Sequence, residues 1–329
     1  MKNNIKFLVK ILAVFVLAVS ILLGISAIYK KGGTYKGTYS GIEKYENVPE
    51  NIEFANFGPS YGMNCFGYGT LKEKGKTCFN FSLTMQDLYH DYALYKTFED
   101  NFKEGAVVAI PLSYFSFCSD ASAPTGNRYY KLLNREYIKG YTLEKEVSTK
   151  YFPAYGKGSS LVRDMTNDLL NSIMKKSQQT PAKDNTEKAE ASAEEAELKT
   201  DSAVRVLTIT NGNLKVFADD IAENEELLVN WILEMKEKGL VPVLLLTPYW
   251  HEYANGFDTE LLNVGYNDPV KRVIEKTGID YIDFCGEEYE EYTHTPEYFN
   301  NCDHVSKKGS KAFMKLYVDY LIQKELLKQ

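Results

Sequence analysis

The chain is poor in the residues that carry metal, redox or disulfide chemistry. Its 329 residues include five Cys, four His and two Trp. The cysteines (Cys65, Cys78, Cys118, Cys285 and Cys302) show no Cys-x-x-Cys spacing, which argues against a metal site. A Cys65–Cys78 disulfide would suit an oxidising exterior, and an odd count leaves at least one thiol without an intrachain partner. No Walker or dinucleotide glycine fingerprint occurs, so no cofactor is expected. Positive charge is also in short supply. With 38 Lys and Arg against 45 Asp and Glu, the net charge of −7 argues against a phosphate-tracking nucleic-acid binder. Only one apolar run is long enough to span a bilayer, which excludes a polytopic membrane protein. A content of 44% hydrophobic and 25% charged residues is ordinary for a globular protein and rules out wholesale disorder.

What is present is unevenly distributed. Residues 1–31 hold five Lys and no acid, leaving 33 basic against 45 acidic residues in the remainder. From Ile11 to Tyr29 no residue carries a formal charge. As a helix rising about 1.5 Å per residue, this run nearly crosses a hydrocarbon core of about 30 Å. Residues 1–31 therefore read as a cytoplasmic tip and membrane anchor, with bilayer contact through residues 11–29. A cleaved signal peptide is the competing reading, although its apolar region is usually about 7–15 residues. Lys2, Lys6 and Lys10 favour a cytoplasmic N-terminus, while Lys30 and Lys31 oppose it.

Residues 32–50 read as a stalk. Ile52–Phe57 is expected as a strand, Thr84–Phe102 as a helix, and the apolar run Ala106–Leu112 as a strand buried on both faces. The stretch 129–155 is aromatic and basic and suits a cap over the sheet. Leu161–Met174 is expected to be helical. Residues 175–203 are low in complexity, with Leu198 their one large apolar residue besides the alanines, and read as an insertion. Disorder is expected there, with a surface helix as the alternative. Strands at Val204–Ile209, Val241–Leu246 and Ile279–Phe284 alternate with helices at Ile221–Lys238, Leu261–Thr277 and Val305–Leu327. This alternation predicts an α/β fold with a doubly wound, mostly parallel sheet spanning residues 51–329. Such sheets bind ligands at the carboxyl ends of their strands.

Two segments fall at that edge. Gly58-Pro59-Ser60-Tyr61-Gly62 follows the first strand, where a tight turn would present the Ser60 hydroxyl. Asn301-Cys302-Asp303-His304 precedes the last helix, so His304 could reach Ser60 as a general base, with Asp303 orienting it. Taken singly, Gly58-Pro59-Ser60 reads first as a turn or capping serine, and Asp303-His304 can also be read as a helix-capping cluster. Cys302 beside His304 is a weaker nucleophile candidate. A Ser60–His304 separation near 3 Å would support a dyad, and one above roughly 7 Å would exclude it.

The pair, with the blocks between, resembles the SGNH (GDSL-like) hydrolase family. The likeness runs through Gly58-Pro59-Ser60, Phe79-Asn80-Phe81-Ser82 with Gln86, Pro111–Phe117, Thr247-Pro248-Tyr249 with Tyr253, and Phe299–Phe313. It is nearer to the membrane-anchored SGNH-like proteins that accompany membrane-bound O-acyltransferases and to the D-alanyl transfer protein of teichoic acid synthesis. The resemblance implies an acyl-transfer enzyme with an acyl-Ser60 intermediate. Gly58, Tyr61, Asn80 and Ser82 would serve the oxyanion or the substrate, and Tyr61, Tyr114 and Tyr249 could stack on sugar rings. It further implies an acyl donor, a cell-surface polysaccharide or teichoic-acid-like polymer as acceptor, a membrane-bound O-acyltransferase as partner, and a body outside the cytoplasm. Esterase action is the same chemistry with water as acceptor. The chain departs from the family at Asn301, where an Asp is usual. That departure supports an alternative: a catalytically degenerate accessory or scaffold protein.

Overall fold

Five strands, all parallel, form the sheet at the centre of the fold. A computed structural model describes residues 2–118, 124–155, 157–177, 188–213 and 218–327. The strands are β1 (Ile52–Asn56), β2 (Cys78–Asn80), β3 (Phe102–Leu112), β4 (Val241–Leu246) and β5 (Asp280–Asp283), in the order β2-β1-β3-β4-β5. The fold is thus α/β with helices flanking a parallel sheet. The apolar run Ala106–Leu112 is buried throughout, as expected of a strand with neighbours on both sides and helices over both faces. Asn56 pairs in register with Asn80 on one side and Ala109 on the other. The strand order reverses between β1 and β3, and sheets of this order bind ligands at that point. Ser60 lies just beyond the carboxyl end of β1.

Aromatic residues fill much of the core. Phe57 stacks on Phe81 at 4.7 Å and meets Trp231 edge-on at 5.3 Å. Phe313 packs edge-on against Phe66 at 5.2 Å and Phe284 at 4.9 Å. Such pairs add about 0.5–1.5 kcal/mol each to the burial of their area.

The chain divides into two units, Met1–Glu46 with Ser122–Asp184, and Asn47–Ala121 with Asn185–Gln329. The second holds the sheet. In the first, the Lys2–Tyr29 helix includes a stretch, Asn4–Tyr29, long and apolar enough to cross a membrane. Within the stretch read as a stalk, Gly33–Thr38 is helical, and Tyr35 and Tyr39 are buried with Tyr29 and Ala154. Asp168 of the Ser159–Ser177 helix accepts hydrogen bonds from the Thr34 amide and hydroxyl, both at 2.9 Å. The aromatic stretch 129–155 belongs to this unit.

Several boundaries differ from the sequence reading. The helix expected over Thr84–Phe102 is confined to Leu88–Phe98, because Asp87 caps it by accepting the His90 amide hydrogen. The helix expected over Leu261–Thr277 is interrupted by a π turn at Asn263–Asn267, followed by the Asp268–Thr277 helix with Pro269 in its first turn. The strand expected at Val204–Ile209 is instead part of a helix, Lys188–Asn213. The Ala- and Glu-rich residues before it start a helix that continues through the β-branched run, and Ala203 is fully buried. Of the stretch read as an insertion, residues 178–187 lie outside the described residues.

Candidate active site

The turn that carries Ser60 is fixed from several sides. Phe57 donates its amide hydrogen to the Ala109 carbonyl at 3.1 Å, extending the β1–β3 pairing by one residue. Gly58 follows at φ +106°, where a Cβ would also lie 2.9 Å from the Pro111 carbonyl oxygen. Its amide hydrogen goes to the buried carboxylate of Asp91 at 2.7 Å. Gln86 Nε2 donates to that same Asp91 oxygen at 2.5 Å and to the Phe81 carbonyl at 3.1 Å. Pro59 stands at the cap position, and Ser60 opens the Ser60–Cys65 helix. The amide hydrogens of a helix's first turn have no acceptor within the helix.

A second set of bonds lies behind this turn. Asn56 is fully buried and donates through Nδ2 to Ser82 Oγ at 2.7 Å and Asn80 Oδ1 at 3.2 Å. Ser82 Oγ in turn donates to the Phe57 carbonyl at 2.6 Å. Asn80 Nδ2 faces the carbonyls of Gly62 at 3.3 Å and Phe66 at 3.2 Å. The side chains of Asn80 and Ser82 are thus engaged in bracing the Ser60 helix, not held out toward an oxyanion. Gly62 is at the point of closest approach. A Cβ there would sit 2.6 Å from Ser82 Oγ and 2.7 Å from the Phe57 carbonyl oxygen.

His304 is held by a tight loop. Phe299 and Val305 form an isolated antiparallel bridge, and the Asn300 amide hydrogen is donated to the His304 carbonyl at 2.8 Å. Ser306 caps the Lys307–Gln323 helix by accepting from the Gly309 amide at 3.1 Å. The absence of a side chain at Gly309 lets this helix lie against the Tyr298 carbonyl. Ser310 Oγ then donates to the Cys65 carbonyl at 2.9 Å, tying the last helix to the one that Ser60 opens.

These supports bring the candidate residues together. Ser60 Oγ lies 2.8 Å from His304 Nε2. His304 Nδ1 lies 2.7 Å from Asp303 Oδ1 and 3.2 Å from Asn301 Oδ1. A carboxylate only accepts, so Nδ1 carries the hydrogen and Nε2 is free to accept from Ser60. The other Asp303 oxygen accepts from the Tyr61 hydroxyl at 3.4 Å. Burial, with the Asp303 carboxylate next to it, raises the Tyr61 phenol above its ordinary pKa, so it stays a donor. Tyr61 also lies 5.1 Å from the His304 ring, tilted by 30°. Tyr114 and Tyr249 are buried, with their rings 5.3 Å apart, so they back Tyr61 without offering a free ring face.

The remaining candidates separate clearly. Cys302 is fully buried behind the loop, where it accepts from the Ser202 hydroxyl at 3.6 Å, and burial raises its thiol pKa. It is therefore placed as a packing residue. All five cysteines are free thiols, so Cys65 and Cys78 are not joined. Among the described residues, no group of three His, Cys, Asp or Glu could hold a metal ion. Asp91 and Asn56, which the sequence reading missed, secure the turn as firmly as any residue it named. An acidic residue on the otherwise apolar side of the 88–98 helix was the available signal for Asp91.

No family model matches the chain, and no curated protein matches it. Among solved structures, a presumed acylhydrolase from Bacteroides fragilis is similar, with a TM-score of 0.39 and 11% identity over 87% of this chain and 95% of that one. At this distance the likeness carries no weight for fold or chemistry.

Proposed function

We propose that the chain is a membrane-anchored acyl-transfer protein acting through Ser60, His304 and Asp303. The observation that carries this reading is the 2.8 Å approach of Ser60 Oγ to His304 Nε2, with a carboxylate on the opposite ring nitrogen. Ser60 Oγ attacks the acyl donor's carbonyl carbon as its proton passes to His304 Nε2. The imidazolium is stabilised by Asp303. The Ser60 amide hydrogen, in the first turn of its helix, faces the developing oxyanion. Collapse breaks the bond to the leaving group, which takes the proton from Nε2, and the acyl group remains as an ester on Ser60. An acceptor hydroxyl then gives its proton to Nε2, attacks the ester and leaves with the acyl group, while Ser60 recovers its proton. Water in place of the acceptor gives hydrolysis by the same steps.

The acceptor class we infer is a cell-surface polysaccharide or teichoic-acid-like polymer, with the body outside the cytoplasm and a membrane-bound O-acyltransferase as partner. The span-length apolar helix supports the anchored placement. The alternative, a catalytically degenerate accessory or scaffold protein, is supported by Asn301 in place of the usual Asp, whereas the 2.7 Å approach of Asp303 to His304 Nδ1 favours the enzyme. A fluorophosphonate probe tests the assignment. It should label the full-length protein, and Ser60→Ala and His304→Ala should abolish labelling without lowering Tm. An unlabelled wild-type protein would return the scaffold reading to first place.

A further inference from the structure

The first unit contains a cavity whose described lining residues all belong to that unit. Its volume is about 380 Å³, and Tyr29, Tyr39, Lys145, Ser148, Tyr155 and Lys157 contribute to its lining. Its position relative to the apolar helix is well defined. Tyr29 is the last residue of that helix. Ser26, one turn earlier, is buried and accepts the Ala154 amide hydrogen at 3.4 Å. Lys30 Nζ donates to the Lys150 carbonyl at 3.4 Å. Lys150 and Ala154 therefore lie level with the end of the span. Ser26 and Tyr29 are buried, Tyr29 with Ala154, so the helix's last turn packs on this unit and places it at the end of the span.

The surface around the cavity suits that depth. Leu143, Val147 and Tyr151 recur at every fourth position of the Leu143–Tyr151 helix and are 62%, 37% and 60% exposed. A helix with an exposed apolar stripe beside lysines suits the boundary between headgroups and acyl chains. Tyr29, Tyr151 and Tyr155 are the residue type enriched at that boundary. The charge has a matching sign. Beyond the span, this unit has 15 Lys and Arg against 8 Asp and Glu, whereas the second unit has 20 against 37. Lys157 Nζ stands 5.5 Å from the centre of the Tyr29 ring, and among the described residues Glu144 is the one carboxylate in the cavity's lining.

We propose that this cavity binds the phosphate headgroup of an anionic phospholipid, with Lys145 and Lys157 facing the phosphate and the Leu143–Tyr151 stripe resting at the acyl-chain boundary. The proposal builds on the reading of the Lys2–Tyr29 helix as a bilayer span. Full-length protein is first reconstituted in bilayers and washed with alkaline carbonate. It is then released from mixed micelles holding equal amounts of phosphatidylglycerol and phosphatidylcholine, and retained lipid is counted by native mass spectrometry. Phosphatidylglycerol should be retained at least fivefold over phosphatidylcholine, and Lys145→Gln/Lys157→Gln should abolish the preference at unchanged Tm. Lys145 is exposed and Lys157 half-buried, and Gln keeps much of each aliphatic stem, so the variant should fold. Equal retention of the two lipids, or an unchanged preference in the double variant, would overturn the proposal alone. So would loss of the lipid to millimolar inorganic phosphate, which would mark a site for soluble phosphate. Extraction by carbonate would overturn both the span and the proposal.

Discussion

His304 pairs through Nδ1 with Asp303, the residue immediately before it, at 2.7 Å, while Asn301 lies 3.2 Å away on the same nitrogen. Adjacent residues of an extended chain point to opposite sides, so this pairing depends on the tight turn that the Phe299–Val305 bridge imposes. Two side chains thus converge on one ring hydrogen, and only one of them carries charge. Asp303→Asn should lower the rate of acylation by about 10²–10⁴-fold, the range seen when such a carboxylate loses its charge. Asn301→Asp in the Asp303→Asn background should recover part of the loss, because it restores a carboxylate on the same nitrogen. Rates of probe labelling at fixed pH measure both effects. A single Asp303→Asn variant as fast as wild type would show that Ser60 and His304 act as a bare dyad.

Asp91 controls the turn from beneath. It accepts the Gly58 amide hydrogen and a Gln86 amide hydrogen on one buried oxygen. Asp91→Ala would leave the Gly58 amide hydrogen buried without that acceptor, at a cost of about 1–3 kcal/mol. Since Gly58 is two residues from Ser60, labelling should also slow by roughly tenfold, in line with the sensitivity of catalysis to small displacements. Asp91→Asn keeps an acceptor oxygen and should recover most of both losses. Urea midpoints and labelling rates that stay at wild-type values in Asp91→Ala would remove Asp91 from the site's support.

Gly62 tests the packing of the same helix. With an added Cβ meeting Ser82 Oγ and the Phe57 carbonyl oxygen, Gly62→Ala forces the Ser60 helix away from the Asn56–Ser82 bonds. The expected cost is about 1–3 kcal/mol, typical of overpacking a close-packed interior. Gly62→Ala/Ser82→Ala removes one of the two obstructing groups and should lose less than the sum of its single variants. Additive losses would place the strain elsewhere.

The parts of this site that were legible in the sequence are local. A glycine-proline-serine turn after an apolar strand and an Asp-His pair before a helix carry their geometry within a few residues. The supports are not local. Asn56 is an unremarkable strand residue until its register with Asn80 places Ser82 above it, and Asp91 reaches Gly58 from 33 residues further along the chain. Val204–Ile209 misled because valine, isoleucine and threonine favour strands only as a weak prior. Its setting within the Lys188–Asn213 helix, where Ser202 reaches Cys302, was decided by tertiary contact.

A histidine pair beside the His304 loop gives the fold a dependence on pH. His251 and His294 stack with ring centres 3.8 Å apart and planes within 11°. Trp250 lies 4.5 Å from the His251 ring and donates its amide hydrogen to the Cys302 carbonyl at 2.9 Å, which links the pair to the loop. Burial first, and His294 second, hold the His251 pKa below its ordinary value of 6.5, against the opposing charges of Glu252 and Glu290. Because the folded value is depressed, the unfolded chain takes up this proton more readily. The stability tied to neutral His251 is in place above about pH 6.5 and is lost as pH falls through the folded value. His294→Asn removes the facing imidazole but leaves the burial. It should therefore lose less stability than wild type between pH 7.5 and 5.5, with near-equal stability at the higher pH. Urea midpoints at the two pH values measure the difference, and equal losses in both proteins would show that the stacked rings do not couple.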